Sequence, residues 1–209
     1  ILNTFSLIVT SYIFNNFIFI GVYILFFFIS LFTTKNGLKI IKKLNIFQTI
    51  RSEGPASHFK KSETPTMGGI FMITPFLILL LIISINSDSQ KLFLLFFSIF
   101  GFFITGFLDD YLSIKNKENT GLTTKEKFFL QSIISIIFIF FAYEKDLINP
   151  LITVSESWEI NMNIFILPIS FLVLVGMSNS VNLTDGLDGL AAGCSGIVFY
   201  GLGTEILMK

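Results

Sequence analysis

The sequence predicts an all-α fold, a polytopic transmembrane helical bundle. Three observations carry that expectation. Of 209 residues, 53% are hydrophobic, 13% are charged and 27 are Phe; mean hydropathy is +0.79. A soluble domain usually carries about 25% charged residues. The apolar residues fall in runs close to the roughly 20 that cross the hydrocarbon core of a bilayer. The densest polar clusters, interleaved with Gly and Pro, lie in the connections between those runs. The high Ile and Phe content favours strands by propensity, but an unclosed sheet leaves backbone groups unpaired in lipid. The runs are also too long and too uniform for the alternating strands of an outer-membrane barrel.

Six spans are expected, at about 12–33, 68–85, 92–108, 128–143, 162–180 and 188–207. The first begins close to Ile1. It is too long for a signal-peptide core and lacks a basic leader and a small-residue cleavage site, so it is expected to be a true span in a chain trimmed at its N-terminus. The connections set the orientation. Loop 34–67 holds Lys35, Lys39, Lys42, Lys43, Arg51, Lys60 and Lys61, and loop 109–127 holds Lys115, Lys117, Lys125 and Lys127. Loops 86–91 and 144–161 hold only Lys91 and Lys145. Positively charged loops stay in the cytoplasm. The N-terminus is therefore expected outside, and loops 34–67, 109–127 and 181–188 inside. Segment 144–161 reads as a solvated external loop, with Trp158 near the outer interface. The chain as a whole, 1–209, reads as one integral membrane domain. Its one cysteine, Cys194, reads as a small buried hydrophobe.

Three cytoplasmic stretches carry the chemistry. "GPASHFKKSETPTMGG", 54–69, combines turn residues with His58, Lys60 and Lys61, ahead of glycines that permit close backbone approach. A basic loop touching anionic lipid would account for the lysines alone, but not for this density of Pro, Gly and Thr. "GFLDDYLSIKNKENTGLTTKEKF", 106–128, places Asp109 and Asp110 at the expected end of the third span. Carboxylates are disfavoured at a helix C-terminus. Two held about 4 Å apart would also repel by roughly 4 kcal/mol at an effective dielectric near 20. A divalent cation, the nearby lysines, or both would compensate, and acidic residues beside clustered lysines suit a Mg²⁺-diphosphate site. A hydrated juxtamembrane loop is the plainer alternative. In "NLTDGLDG", 182–189, Asn182, Asp185 and Asp188 would share one face if helical. Capping of the sixth span by Asn182 or Thr184 explains one or two of these residues, but not the set with its glycines.

Carboxylates, lysines and an amide gathered on one side are the parts for phosphate chemistry. A channel or proton-coupled transporter would hold its ionisable groups in mid-membrane, where this chain has essentially none. A non-catalytic transporter or lipid-binding protein is thus the disfavoured class.

Together "GPASHFKKSETPTMGG", "GFLDDY" and "NLTDGLDGLAAG" resemble the polyprenyl-phosphate N-acetylhexosamine-1-phosphate transferases, over about 12–209. His58 and "PTMGG" look like the muramoyl-pentapeptide branch rather than the sister branch that uses UDP-N-acetylglucosamine. The resemblance implies transfer of phospho-N-acetylmuramoyl-pentapeptide from its UDP-linked precursor to undecaprenyl phosphate, with Mg²⁺, giving lipid I and UMP at the inner face of a bacterial cytoplasmic membrane. It implies ten helices, commonly in a dimer, and no nucleic-acid partner. By motif match, Asp109 and Asp110 resemble the catalytic pair, with Asp109 assisting deprotonation of the lipid phosphate and Asp110 positioning it. Either could touch the metal, and a further metal ligand is implied beyond Lys209. Lys61 would contact phosphate, Thr66 would join it in substrate binding, and Lys117 and Lys127 would bind the lipid phosphate or diphosphate. Asn182, Asp185 and Asp188 would line the nucleotide site. Glu63 departs from the family pattern, which usually has Gly there. Six spans rather than ten imply a fragment, expected to be inactive alone.

Overall fold

The structure, a computed structural model, describes residues 17–47, 65–117, 121–155, 158–185 and 189–208. The chain forms helices α1 (Phe17–Lys43), α2 (Gly69–Asn86), α3 (Gln90–Asn116), α4 (Thr124–Glu144), α5 (Ile166–Thr184) and α6 (Leu190–Met208). A hairpin of β1 (Leu151–Ser155) and β2 (Trp158–Asn161) lies between α4 and α5. Among the described residues five helical segments are long and apolar enough to cross a membrane, and α6 contributes a shorter apolar stretch. The protein is thus an all-α polytopic membrane bundle. It divides into two compact units, Phe28–Val175 and a second drawn from the segments on either side of it.

Two element boundaries differ from the sequence reading in ways that matter. The first helix was expected to end near residue 33 but continues to Lys43, and the third was expected to end near 108 but continues to Asn116. Each has 27 residues, about 40 Å of helix against a hydrocarbon core of about 30 Å. Hydropathy detects where lipid stops, not where hydrogen bonding stops. The expected external loop contains the hairpin, in which Ile152 pairs with Ile160 and Thr153 with Glu159. β-Branched residues in "LITV" suit that pairing. Cys194, expected to be buried, is exposed on α6.

Within Phe28–Val175, α3 packs against both α2 and α4. The buried positions include small or polar residues, among them Ser84, Ser98, Thr105, Ser135 and Ala142, whereas Phe28, Phe32, Phe93, Phe129 and Phe140 are exposed. This inversion of the water-soluble pattern follows from lipid, which accepts Phe as readily as a core does, while small residues let helices approach. A Cβ on Gly101 of α3 would fall 2.9 Å from Ile134 Cγ2 of α4.

The α1–α2 contact repairs a backbone defect. Pro75 lies inside α2 and has no N–H, so the carbonyl four residues earlier, Phe71, loses its helical donor. Thr33 of α1 supplies one, with Oγ1 2.8 Å from the Phe71 carbonyl. Ser30 Oγ donates to the adjacent Met72 carbonyl at 3.2 Å. Neighbouring helices commonly satisfy backbone groups freed by proline in membranes.

Candidate active site around Asp109 and Asp110

Asp109 and Asp110 lie within α3, about two turns before its end at Asn116. The helix closes instead on Lys117, left-handed at φ 56°, whose N–H donates to the Ile114 and Ser113 carbonyls. The macrodipole acts only over the last turn. The expected unfavourable placement at a helix C-terminus is therefore corrected, and the mutual repulsion of the two carboxylates remains to be offset.

Asp109 is offset from the start of α4. Thr123 caps that helix in a reciprocal box with Glu126: the Glu126 N–H donates to Thr123 Oγ1 at 3.3 Å, and the Thr123 N–H donates to Glu126 Oε2 at 2.8 Å. This fixes the entry of the chain into α4. On the preceding turn, the Leu122 N–H donates to Asp109 Oδ1 at 2.9 Å. One turn into the helix, Lys127 reaches Asp109 Oδ2 at 2.5 Å. Lys127 and Asp109 are about one-fifth exposed, so this pair is less screened than a surface ion pair.

Asp110 is held from a third segment. The "PTMGG" stretch enters through a bridge between Phe47 and Pro65 and turns at Met67, which has a positive φ of 62°. The Met67 N–H donates to the Asp110 carboxylate, which also lies in the field of Lys127. Thus the first and second polar stretches meet: one backbone donor from each side fixes each member of the pair.

The structure joins Asp109, Asp110 and Lys127. Thr66 is half-buried beside Met67, and it is Met67 whose backbone donates to Asp110. Lys117 is exposed, about 12 Å further along the helix axis than Asp109. Lys61, with His58, Lys60 and Glu63, lies outside the described residues. In the other unit, Asn182 is exposed in the last turn of α5, which ends at Thr184, and the Asp185 N–H donates to the Val181 carbonyl at 3.2 Å. Gly189, at φ 82°, precedes α6. Asn182 therefore sits in the last turn of α5 and Asp185 just past its end, while Asp188 lies outside the described residues. Neither Asn182 nor Thr184 caps the sixth helix.

Among the described residues, no three His, Cys, Asp or Glu side chains gather into a metal cage. Mg²⁺ more often takes one or two carboxylates together with substrate phosphates. The donor set fits that mode: Asp109 is engaged at both oxygens, whereas Asp110, with its Met67 donor, keeps acceptor capacity.

Met67, Gly121 and Leu122 do not stand out in the sequence, because their contributions are backbone atoms. A signal existed for the last two. Thr123 followed three residues later by Glu126 marks a helix start, which puts Gly121-Leu122 on the turn leading into it.

Residues 92–208 match glycosyl transferase family 4. Over all 209 residues the chain is 83% identical to a phospho-N-acetylmuramoyl-pentapeptide-transferase of Prochlorococcus marinus strain MIT 9312, and 81% identical to that of strain MIT 9301. It is 39% identical over 165 residues, 78% of this chain, to the enzyme of that name from Oceanobacillus iheyensis, covering 51% of the latter. The chain spans 58% of the length of the two Prochlorococcus relatives. With the family match running from α3 through α6, across the carboxylate pair and its lysine, the chain belongs to glycosyl transferase family 4.

Proposed function

We propose that the protein transfers phospho-N-acetylmuramoyl-pentapeptide from its UDP-linked precursor to undecaprenyl phosphate, releasing UMP and forming lipid I. The observation that carries this reading is the Asp109–Asp110 pair held by Met67, Leu122 and Lys127, in a chain whose relatives are named as transferases of phospho-N-acetylmuramoyl-pentapeptide.

Phosphoryl transfer depends on positioning and charge neutralisation more than on covalent chemistry by the protein. Asp109 takes the proton from the incoming lipid phosphate and Asp110 holds that phosphate in line. The phosphate oxygen bonds to the sugar-proximal phosphorus, and the bond from that phosphorus to the UMP oxygen breaks. Lys127, already at the pair, neutralises phosphate charge, and Lys61 and Lys117 serve as further phosphate contacts. Thr66 joins them in holding substrate, and Asn182, Asp185 and Asp188 line the nucleotide site. Asp110, with Asp109 beside it, would hold Mg²⁺, which would supply charge neutralisation to the diphosphate and the departing UMP. The protein works as a multi-pass component of the bacterial inner membrane, in a homodimer, with its N-terminus outside. The excess of Lys and Arg in loops 34–67 and 109–127 supports a cytoplasmic active site.

The test is UMP release by the complete gene product in detergent or liposomes. Release should require both undecaprenyl phosphate and UDP-N-acetylmuramoyl-pentapeptide, and UDP-N-acetylglucosamine should neither substitute nor compete. No release, or release with the glucosamine nucleotide alone, would overturn the reading.

A further inference from the structure

We propose that Gly121 is a positioning residue for the reaction: lacking a side chain, it lets the turn before α4 lie on the Asp109 carbonyl and deliver the Leu122 N–H to Asp109 Oδ1. This inference rests on the transfer reading above.

The close approach is unusual within the chain. A Cβ on Gly121 would fall 1.7 Å from the Asp109 carbonyl oxygen, 2.6 Å from its carbonyl carbon and 3.0 Å from its Cα. Gly37 and Gly101 are also crowded, but against the Phe71 and Ile134 side chains, which can rotate or shift. Among the described glycines, Gly121 is the one whose Cβ would strike backbone. That backbone belongs to the interior of α3, where the helical hydrogen bonds resist displacement.

The consequence follows from distances. To relieve contact, the 121–123 turn must retreat by about 1.5 Å, which carries the Leu122 N–H from 2.9 Å to beyond the roughly 3.5 Å at which a hydrogen bond fails. The capping box makes that turn continuous with the first turn of α4. Lys127 therefore moves with it, away from Asp109 Oδ2. One methyl group would loosen both partners of Asp109 and free its carboxylate to rotate. Gly121 touches no reacting atom; it acts through Leu122 and Asp109.

Two variants of the complete gene product separate positioning from simple packing. Replacing Leu122 by the corresponding α-hydroxy acid turns its amide into an ester, removing the N–H with no added bulk. Gly121→Ala adds the bulk. Each should lower kcat about tenfold or more, as expected when a hydrogen bond to a charged group is lost. KM for the UDP-linked substrate should stay within about twofold of wild type. Gly101→Ala, which strains the α3–α4 contact away from Asp109, should lower the melting temperature and leave kcat per folded protein unchanged. An ester variant with wild-type kcat would overturn the role of Gly121, as would a loss of activity that merely follows melting temperature in all three variants. The ester variant decides the matter if Gly121→Ala does not fold. A wild-type protein that releases no UMP would defeat the transfer reading itself; an active wild type matched by the ester variant would defeat this inference alone.

Discussion

Lys127 Nζ lies 2.5 Å from Asp109 Oδ2, although the two residues belong to different helices and the turn between those helices also donates to Asp109. The lysine therefore serves two ends. It offsets one of two adjacent carboxylates, and in the proposed reaction it would also meet phosphate.

Lys127→Met removes the charge and keeps much of the apolar stem. It should lower kcat by roughly ten- to a hundredfold, the range for losing a hydrogen-bonded charge. Lys127→Arg should retain part of the activity, since the charge remains but the planar head cannot occupy the same point. UMP release and melting temperature, measured on both variants, check this. Equal activity in wild type and Lys127→Met would remove the lysine from the site.

Asp109→Asn should abolish turnover with little change in folding. The amide oxygen can still accept from the Leu122 N–H, while the charge and the proton acceptor are gone. A variant of the complete gene product with wild-type kcat would show that Asp109 takes up no proton in the reaction.

Chelation should stop the reaction. EDTA in excess is expected to reduce UMP release to background, and added Mg²⁺ to restore it. Full activity under strict chelation would exclude a divalent cation from the mechanism and leave the lysines as the only compensation.

The α1–α2 contact makes a prediction independent of catalysis. Thr33→Val removes the hydroxyl that reaches the Phe71 carbonyl and should destabilise the protein by about 0.5–1.5 kcal/mol, in line with hydrogen bonds between membrane helices. Pro75→Ala supplies a helical donor to the same carbonyl. In that background Thr33→Val should have a clearly smaller effect. Additive losses in a double-mutant cycle of melting or denaturant stability would show that Thr33 does not serve the defect made by Pro75.

Asp109, Asp110 and Lys127 were legible in sequence because charged side chains stand out against Ile, Leu and Phe, and the motifs that contain them resemble a known family. What the three residues do to one another was not. Four lysines of loop 109–127 are equivalent in a count of charge, yet Lys127 meets Asp109 while Lys117 ends α3 in the open. The third polar stretch shows the limit most clearly. The three-residue spacing of Asn182, Asp185 and Asp188 gives one face only if the stretch is helical; α5 ends at Thr184, and Asp188 lies outside the described residues.

By itself the sequence determined the membrane class, the approximate positions of the spans and the identity of the polar stretches. These follow from hydropathy and residue type, which are properties of each residue in its own neighbourhood along the chain. Tertiary structure alone decided that α3 runs on past the aspartates, that Met67 donates to Asp110, and that Gly121 and Leu122 lie against Asp109. These contacts depend on the register of one helix against another and on backbone atoms common to nearly every residue. The Thr123–Glu126 box announces the turn, but no side-chain pattern announces what that turn touches.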